Sequence, residues 1–273
     1  MIRTVIIGAA GRMGRHLTAQ VLGDPALSLA AAIECAGHPA AGQDAGVVAG
    51  GGVAGVRITE DLAAALRTAD AVIDFSSREA ALPNARAAAA AGCALVVGTT
   101  GLSAADRAGL VELAQAGARI VSAPNMSIGV NLLFHLCRQV ALTLGEEYDI
   151  EVVEMHHNQK KDAPSGTAKR LAEILAEARG LSYDRQVRHG REGLLGARPK
   201  AEIGMHALRG GDVVGDHTVI FATGGERVEL THKASSRQTF AQGAVRAVKF
   251  LAAARPGLYD MQDVLGLKAM PLT

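Results

Sequence analysis

A chain of 273 residues, 49% hydrophobic and 20% charged, can bury an ample core without metals or disulfides and has room for two domains of ordinary size. Its formal net charge of +1 excludes a global electrostatic pull toward nucleic acid or an anionic membrane surface. Cys35, Cys93 and Cys137 are odd in number and widely spaced, offering no CxxC pair and no disulfide framework, which suits a reducing, cytoplasmic compartment.

The chain opens on MIRTVIIGAAGRMG, whose apolar stretch is too short for a membrane span and runs into a glycine-rich turn with no small-residue cleavage site. It reads as a first strand. Thr4 to Ile7, Leu29 to Ile33, Ala71 to Phe75, Ala94 to Val97 and Arg119 to Ser122 are short apolar runs, most of them followed by helical patterns. Alternation of this kind predicts a doubly wound, Rossmann-like α/β domain, its parallel sheet covered by helices on both faces. Open α/β sheets bind ligands beyond the C-terminal ends of their strands, which places Gly8, Phe75, Gly98 and Ala123 around one crevice.

After Pro124 the pattern changes to a long apolar helix from about Ile128 to Leu144 and a partly alternating strand from Tyr148 to Met155. Ala201 to Leu208 and His217 to His232 carry β-type runs, and Arg209-Gly210-Gly211-Asp212 and Gly224-Gly225 read as turns suited to antiparallel hairpins. One clear helix, Thr167 to Arg179, interrupts them. A periodic helix from Thr239 to Ala254 is expected to return to the first domain. The predicted organisation is a dinucleotide-binding domain of residues 1–127 and 237–273, and a substrate-binding and oligomerisation domain of residues 128–236, an α+β unit with a mixed or antiparallel sheet.

Gly8-Ala9-Ala10-Gly11-Arg12-Met13-Gly14 follows a strand and opens a helix, the context that a dinucleotide turn requires. Glycines permit close backbone approach to a pyrophosphate, and helix N-terminal amides supply donors. Glu34 falls at the end of the second strand, where an acid can accept from ribose hydroxyls. The spacing is GxxGxxG, and such glycines can also serve only turns and packing; the agreement of strand, turn, helix and distal acid favours a nucleotide. Arg12 lies inside the loop, whereas Arg15 reads equally well as an ordinary surface arginine. Gly98-Thr99-Thr100-Gly101 and Ala123-Pro124-Asn125-Met126-Ser127 fall at strand ends where a nicotinamide would lie, although as bare sequences both are turns.

The most unusual stretch is EMHHNQKKDAPSGT, Glu154 to Thr167, which leaves a strand, passes a polar loop and enters a helix. Ser165, Gly166 and Thr167 stand at the helix start, where free amides and hydroxyls can bind a carboxylate, and Lys160 with one histidine can complete a dianion site or donate a proton. Ser165 or Thr167 can also serve simply as a helix cap, and a lysine as a solvated charge. Adjacent His156 and His157 lack metal-ligand spacing and a supporting cysteine cluster, so no metal is expected. His135 reads as a packed helix residue; His232, Lys233 and Arg237 leave a hinge or substrate-facing role open.

GAAGRMG, DFS, GTTG, APNMS with GVNLL, EMHHNQKKDAPSGT, GDVVGDHTVIF and THKASSRQTFAQGA together resemble the 4-hydroxy-tetrahydrodipicolinate reductase family, also called dihydrodipicolinate reductase, over nearly the whole chain. The resemblance implies reduction of a cyclic hydroxy-tetrahydrodipicolinate on the diaminopimelate route to lysine, with NADH or NADPH as hydride donor. It also implies that His156 and Lys160 are the catalytic acid candidates, that His157, Ser165, Gly166 and Thr167 bind the dicarboxylate, and that Gly8, Ala9, Ala10, Gly11, Arg12, Met13, Glu34, Gly98, Thr99, Thr100, Ala123, Pro124, Asn125 and Met126 bind the dinucleotide. Cys35 stands where relatives often carry an arginine facing the 2′-phosphate of NADPH, so dual cofactor use with a lean toward NADH is expected. Met126 stands where an aromatic residue is common. A homotetramer formed through the second domain's sheet is implied; closure when both ligands bind is expected because cofactor and substrate residues sit on different predicted domains, joined near Ser127 and Arg237. Other two-domain reductases need the glycine turn but not the HHxxKxDxPSGT loop, and a non-catalytic nucleotide sensor would not need His156 and Lys160.

Overall fold

The computed structural model describes residues 1–268; residues 269–273, which close the stretch expected to rejoin the nucleotide domain, lie outside the described residues. The chain divides into two compact units, one of Met1–Ile128 with the described residues from Arg237 onward, the other of Gly129–Ser236. The elements run β1 (Ile2–Ile7), α1 (Arg12–Leu22), β2 (Leu27–Ile33), α2 (Ala45–Val48), β3 (Ile58–Thr59), α3 (Leu62–Leu66), β4 (Ala71–Asp74), α4 (Arg78–Ala90), β5 (Ala94–Val97), α5 (Ala104–Gln115), β6 (Arg119–Ser122) and α6 (Ile128–Leu144). They continue with β7 (Asp149–His156), α7 (Gly166–Ala178), α8 (Tyr183–Gln186), β8 (Val187–His189), β9 (Ile203–Arg209), β10 (Gly215–Thr223), β11 (Glu226–Ala234), α9 (Gln238–Ala253), β12 (Gly257–Tyr259) and α10 (Met261–Val264).

In the first unit seven parallel strands lie in the order β12-β6-β5-β4-β1-β2-β3. Successive side chains of one strand enter different cores. Ile6, Ile73, Val96 and Val121 pack with Leu17 and Val21 of α1 and Ala244 and Val248 of α9. Val5, Ile7, Val72, Leu95 and Ile120 pack with Ala81, Ala85 and Ala88 of α4 and Leu110 of α5. Burial on both faces is why these strands read as continuous apolar runs. The chain order reverses between β1 and β4, so their C-terminal ends flank a topological switch point. Three strands do not show in the sequence: β3 has two residues, β12 three and, in the second unit, β8 three, too short to show a period.

In the second unit five strands run β11-β10-β7-β9-β8. β10 and β11 form the antiparallel hairpin expected around Gly224-Gly225. The expected hairpin at Arg209 to Asp212 is corrected: β7 lies between β9 and β10, parallel to β9 and antiparallel to β10, so that turn is a crossover. The short α8 adds a helix that sequence periodicity did not show. α6, extended by the following turn, is long and apolar enough by length and composition to cross a bilayer. In the fold its Val130, Leu133, Phe134, Cys137 and Ala141, at helical spacing, pack with Ile150, Val152, Phe221 and the α7 residues Leu171 and Leu175. Burial pushes the Cys137 thiol up to about 12, leaving it inert. The alternation of β7 carries Glu154 and His156 onto the same face as Ile150 and Val152, so the strand ends with two polar groups under the core.

Helix α9 closes against the first unit through Gly243, where an added Cβ would collide with the Met126 carbonyl oxygen. An exposed helical glycine replaced by alanine normally gains about 1 kcal/mol. Gly243→Ala should instead destabilise by about 1–3 kcal/mol, as overpacking does, read as a lowered urea midpoint with an unchanged slope.

Candidate active site

In the first unit the β1–α1 turn is built by backbone. Gly8 has φ +78°, and its amide and that of Ala9 donate to Ile33 of the neighbouring strand at 2.9 and 3.1 Å. A Cβ at Gly14 would collide with the Gly8 carbonyl, so only glycine lets the helix start this close to the strand end. α1 has Gly11 at its N-cap with no side-chain cap, and no acidic residue in its first turn. The amides of Arg12, Met13 and Gly14 have no protein acceptor among the described residues. A cradle of uncapped amides that a Cβ would fill fits a pyrophosphate. Glu34 Oε1 accepts the Ala10 amide at 2.7 Å, and Oε2 meets only the Cys35 amide, at 3.3 Å. Arg15 donates Nε–H to the Ala10 carbonyl at 3.0 Å and braces the turn from behind.

Two clefts flank this turn. One, about 440 Å³, is lined by Arg12, Met13, Gly98–Thr100 and Pro124–Met126, with Phe75, Arg237 and Phe240. The other, about 630 Å³, is lined by Gly8, Glu34, Cys35, His38 and Glu60 among others. They share Gly11, Phe75 and Ser76. The loops are held by Asp74, a fully buried carboxylate that accepts from Ser76 N and Oγ at 2.8 and 2.6 Å, Asn84 Nδ2 at 2.9 Å and Thr99 Oγ1 at 3.3 Å. The Phe75 ring occupies the space that a side chain at Gly98 would need. Of the residues expected around a nicotinamide, Ala123 and Met126 are buried, so they can offer a ligand backbone only.

The second unit gathers EMHHNQKKDAPSGT around one carboxylate. Glu154 is fully buried; its Oε1 accepts from Arg209 at 2.9 Å and the Ser165 amide at 3.0 Å, its Oε2 from Arg209 at 2.9 Å and His156 Nδ1 at 2.6 Å. All four lone-pair sites are taken. Burial alone would raise its pKa, but hydrogen bonds from His156, Arg209 and Ser165 hold it at about 2. Being ionised, Glu154 can only accept, so His156 carries its proton on Nδ1 and has Nε2 left beside Gly215, without a partner among the described residues. Lys160 rests on Asp162 at 2.8 Å.

Ser165 is 2% exposed; its hydroxyl caps α7 by accepting the Ala168 amide at 3.1 Å and pairs with His217 Nε2 at 3.0 Å, so it organises the helix start. Gly166 is exposed with open space around its Cα, and Thr167 is half-buried beside it. His157 is half-buried, its amide donating to the Val213 carbonyl at 2.7 Å. His217 stands edge-on to His156 with ring centroids 5.2 Å apart; burial first, then His156, pushes its pKa down to about 3. Arg209 and His217 were not singled out from the sequence, because they lie 55 and 52 residues from their partners Glu154 and Ser165. Their one sequence signal is position, in or beside strands that flank β7.

The parallel sheet with its glycine turn and the α+β unit with its histidine–lysine loop define a two-domain, nicotinamide-dependent reductase. Family models described as Dihydrodipicolinate reductase, N-terminus, and Dihydrodipicolinate reductase, C-terminus, match residues 2–126 and 129–265. The chain is 53% identical over 268 residues to 4-hydroxy-tetrahydrodipicolinate reductase of Anaeromyxobacter dehalogenans (strain 2CP-C), covering 98% of this chain and 99% of that one. It is 47% identical to the enzyme of the same name from Geotalea daltonii, over 98% and 100%. A dipicolinate-bound dihydrodipicolinate reductase from Paenisporosarcina sp. TG-14 shares the fold with a TM-score of 0.77, at 24% identity over 96% of this chain and 98% of that one. The chain belongs to the dihydrodipicolinate reductase family, NAD(P)H-dependent oxidoreductases of the diaminopimelate route to lysine.

The depressed pKa of Glu154 links the site to stability. Its folded value of about 2 lies below the ordinary 4.5, so its contribution is complete above pH 4.5 and disappears as pH falls toward 2. The contribution is on the order of 3 kcal/mol. Thermal unfolding followed from pH 7 to pH 2 should show this loss, and Glu154→Gln should flatten the part of the curve between pH 4.5 and 2.

Proposed function

We propose that this chain reduces 4-hydroxy-tetrahydrodipicolinate to tetrahydrodipicolinate, taking hydride from NADH or NADPH, with the first unit holding the dinucleotide and the second the dicarboxylate. What carries the reading is the pairing, in one chain, of an uncapped glycine turn facing Glu34 with a buried carboxylate that fixes His156 next to an open helix start. Bound dinucleotide supplies the hydride. The uncapped amides of Arg12, Met13 and Gly14 hold its pyrophosphate, Glu34 its ribose, and the loops at Gly98–Thr100 and Ala123–Met126 its nicotinamide.

The substrate is a dianion. Gly166 and Thr167, at the positive end of α7, receive one carboxylate, with His157 alongside. Reduction consumes one hydride and one proton and releases water; His156 Nε2 and Lys160 Nζ are the groups that give the proton and stabilise charge as it develops. Lys160 is held on Asp162 and can exchange that carboxylate for the substrate's. Ser165 contributes through the helix start that it caps.

For the cofactor, the cleft at Glu34 and Cys35 also holds Glu60 and His38, and no lysine or arginine lines it among the described residues. Arg12 lines the other cleft. Two carboxylates and a thiol favour a free 2′-hydroxyl over a 2′-phosphate, which supports dual use leaning to NADH. The half-buried Val153, Met155 and Ile220, on the sheet face turned away from α6 and α7, support assembly as a homotetramer through that sheet. All three cysteines are free thiols, in keeping with a cytoplasmic enzyme.

A coupled assay with freshly made substrate should show turnover with both nicotinamides and higher kcat/KM for NADH; a strong NADPH preference would overturn the lean. Cys35→Arg should move the ratio toward NADPH by about tenfold, near 1.4 kcal/mol. His156→Gln and Lys160→Met should each lower kcat by about 10²-fold or more while the NADH Kd, read by fluorescence, stays near wild type. Wild-type turnover in both variants would defeat the acid assignment.

A further inference from the structure

The proton on His156 is governed by a group that never meets the substrate. Glu154 is fully buried with both oxygens saturated, so it is neither a ligand nor a general base. Its carboxylate nevertheless fixes the two things an imidazole acid needs. The 2.6 Å bond commits Nδ1 to carrying a proton, so that Nε2 is the nitrogen through which a second proton can come and go. It also sets the ring plane, which lies across Gly215, where a Cβ would approach Nε2 to 2.9 Å.

The surroundings account for the charge. His217, edge-on to His156, points inward from β10 with its Nε2 on the Ser165 hydroxyl, and burial keeps it neutral. It therefore adds no second cation beside the ring. Arg209 binds both oxygens of Glu154 and donates further to the Asp162 carbonyl at 2.7 Å and the Leu208 carbonyl at 2.6 Å, so it is fixed independently of His156. With Arg209 in place the carboxylate stays compensated when His156 gives up its Nε2 proton, and no bare charge is left in the core.

We propose that Glu154, held by Arg209 and the Ser165 amide, is a positioning residue for proton transfer: it keeps a proton on Nδ1 of His156 in both charge states of the ring, so that the imidazolium gives its second proton from Nε2 to the reduced ring. Once the ring has lost its hydroxyl and a neighbouring hydrogen as water, and with bound dinucleotide as the hydride source, the Nε2–H bond of the His156 imidazolium would break, its proton would move to the charge that the hydride creates on the ring, and solvent would return a proton to Nε2. This rests on the assignment of His156 as an acid, and its test separates the two.

The experiment is a double-mutant cycle on the full chain with Glu154→Gln, which keeps the shape but cannot accept four donors, and His156→Gln. Glu154→Gln should lower kcat by about 10²-fold with little change in the Kd of NADH or of dipicolinate used as the probe. The double variant should be no slower than His156→Gln alone, because Glu154 acts through the imidazole. Additive losses, or wild-type turnover in Glu154→Gln beside an impaired His156→Gln, would overturn the positioning role and leave the acid assignment standing. Wild-type turnover in His156→Gln would remove the acid assignment itself. Should Glu154→Gln fail to fold, the wild-type protein decides alone: ¹⁵N spectra of its histidine rings at neutral pH should show Nδ1 of His156 protonated, and a bare Nδ1 there would sink the inference.

Discussion

Four donors converge on the two oxygens of Glu154, and three stretches of chain are thereby tied together: the end of β7 through His156, the start of α7 through the Ser165 amide, and the end of β9 through Arg209. An ionised carboxylate with no solvent contact costs several kcal/mol unless its charge is matched and its lone pairs are filled. Here the requirement itself supplies the geometry. Satisfying Glu154 draws the ring of His156 down under the core, sets the residue that caps α7 in register, and leaves Gly166 at an open, positive helix end. Each of these follows from the one buried charge.

The nucleotide unit meets an equivalent need with backbone. Gly8 and Gly14 bring strand end and helix start closer than any side chain permits, and the amides at the start of α1 are left uncapped. Behind them stands another fully buried carboxylate at a strand end, Asp74 of β4, which anchors Ser76, Asn84 and Thr99. Both units thus place a fully buried, hydrogen-bonded acid at a strand end, behind the loops that follow it. The acid removes conformational freedom from the loops it anchors.

Legibility from the sequence follows range of interaction. Strands buried on both faces announce themselves as apolar runs, and β5, β6 and α6 begin and end where the pattern places them, because their periods are local. β3 and β12 hold too few residues for a period, and the pairing of β9 with β7 depends on a crossover that a Gly-Gly turn imitates. In the second unit's site, His156 and Lys160 were visible as an unusual polar run. Arg209 and His217 were not, because what distinguishes them is a partner more than fifty residues away. Ser165 was ambiguous between cap and ligand, and only its burial separates the two.

The far face of β7 shows why residue types alone assign nothing. Glu151, three positions before Glu154, also gathers arginines and a histidine: Arg191 at 2.7 Å, Arg198 at 2.9 Å and His206 at 2.9 Å, with Gly204 leaving the space its carboxylate fills. Burial opposes its ionisation there too, and the bonds from Arg191, Arg198 and His206 hold it at about 2. Yet His206 uses Nε2 for that bond, Arg198 continues to Asp149 and to the carbonyls of Ile150 and Glu202, and the cluster faces outward from the sheet. It clamps the segment between β8 and β9 to the strand. At Glu154 the same chemistry sits at the strand's C-terminal end, and its carboxylate is sealed from solvent. Those two differences, neither of them compositional, separate a buried anchor at a strand end from an outward-facing clamp.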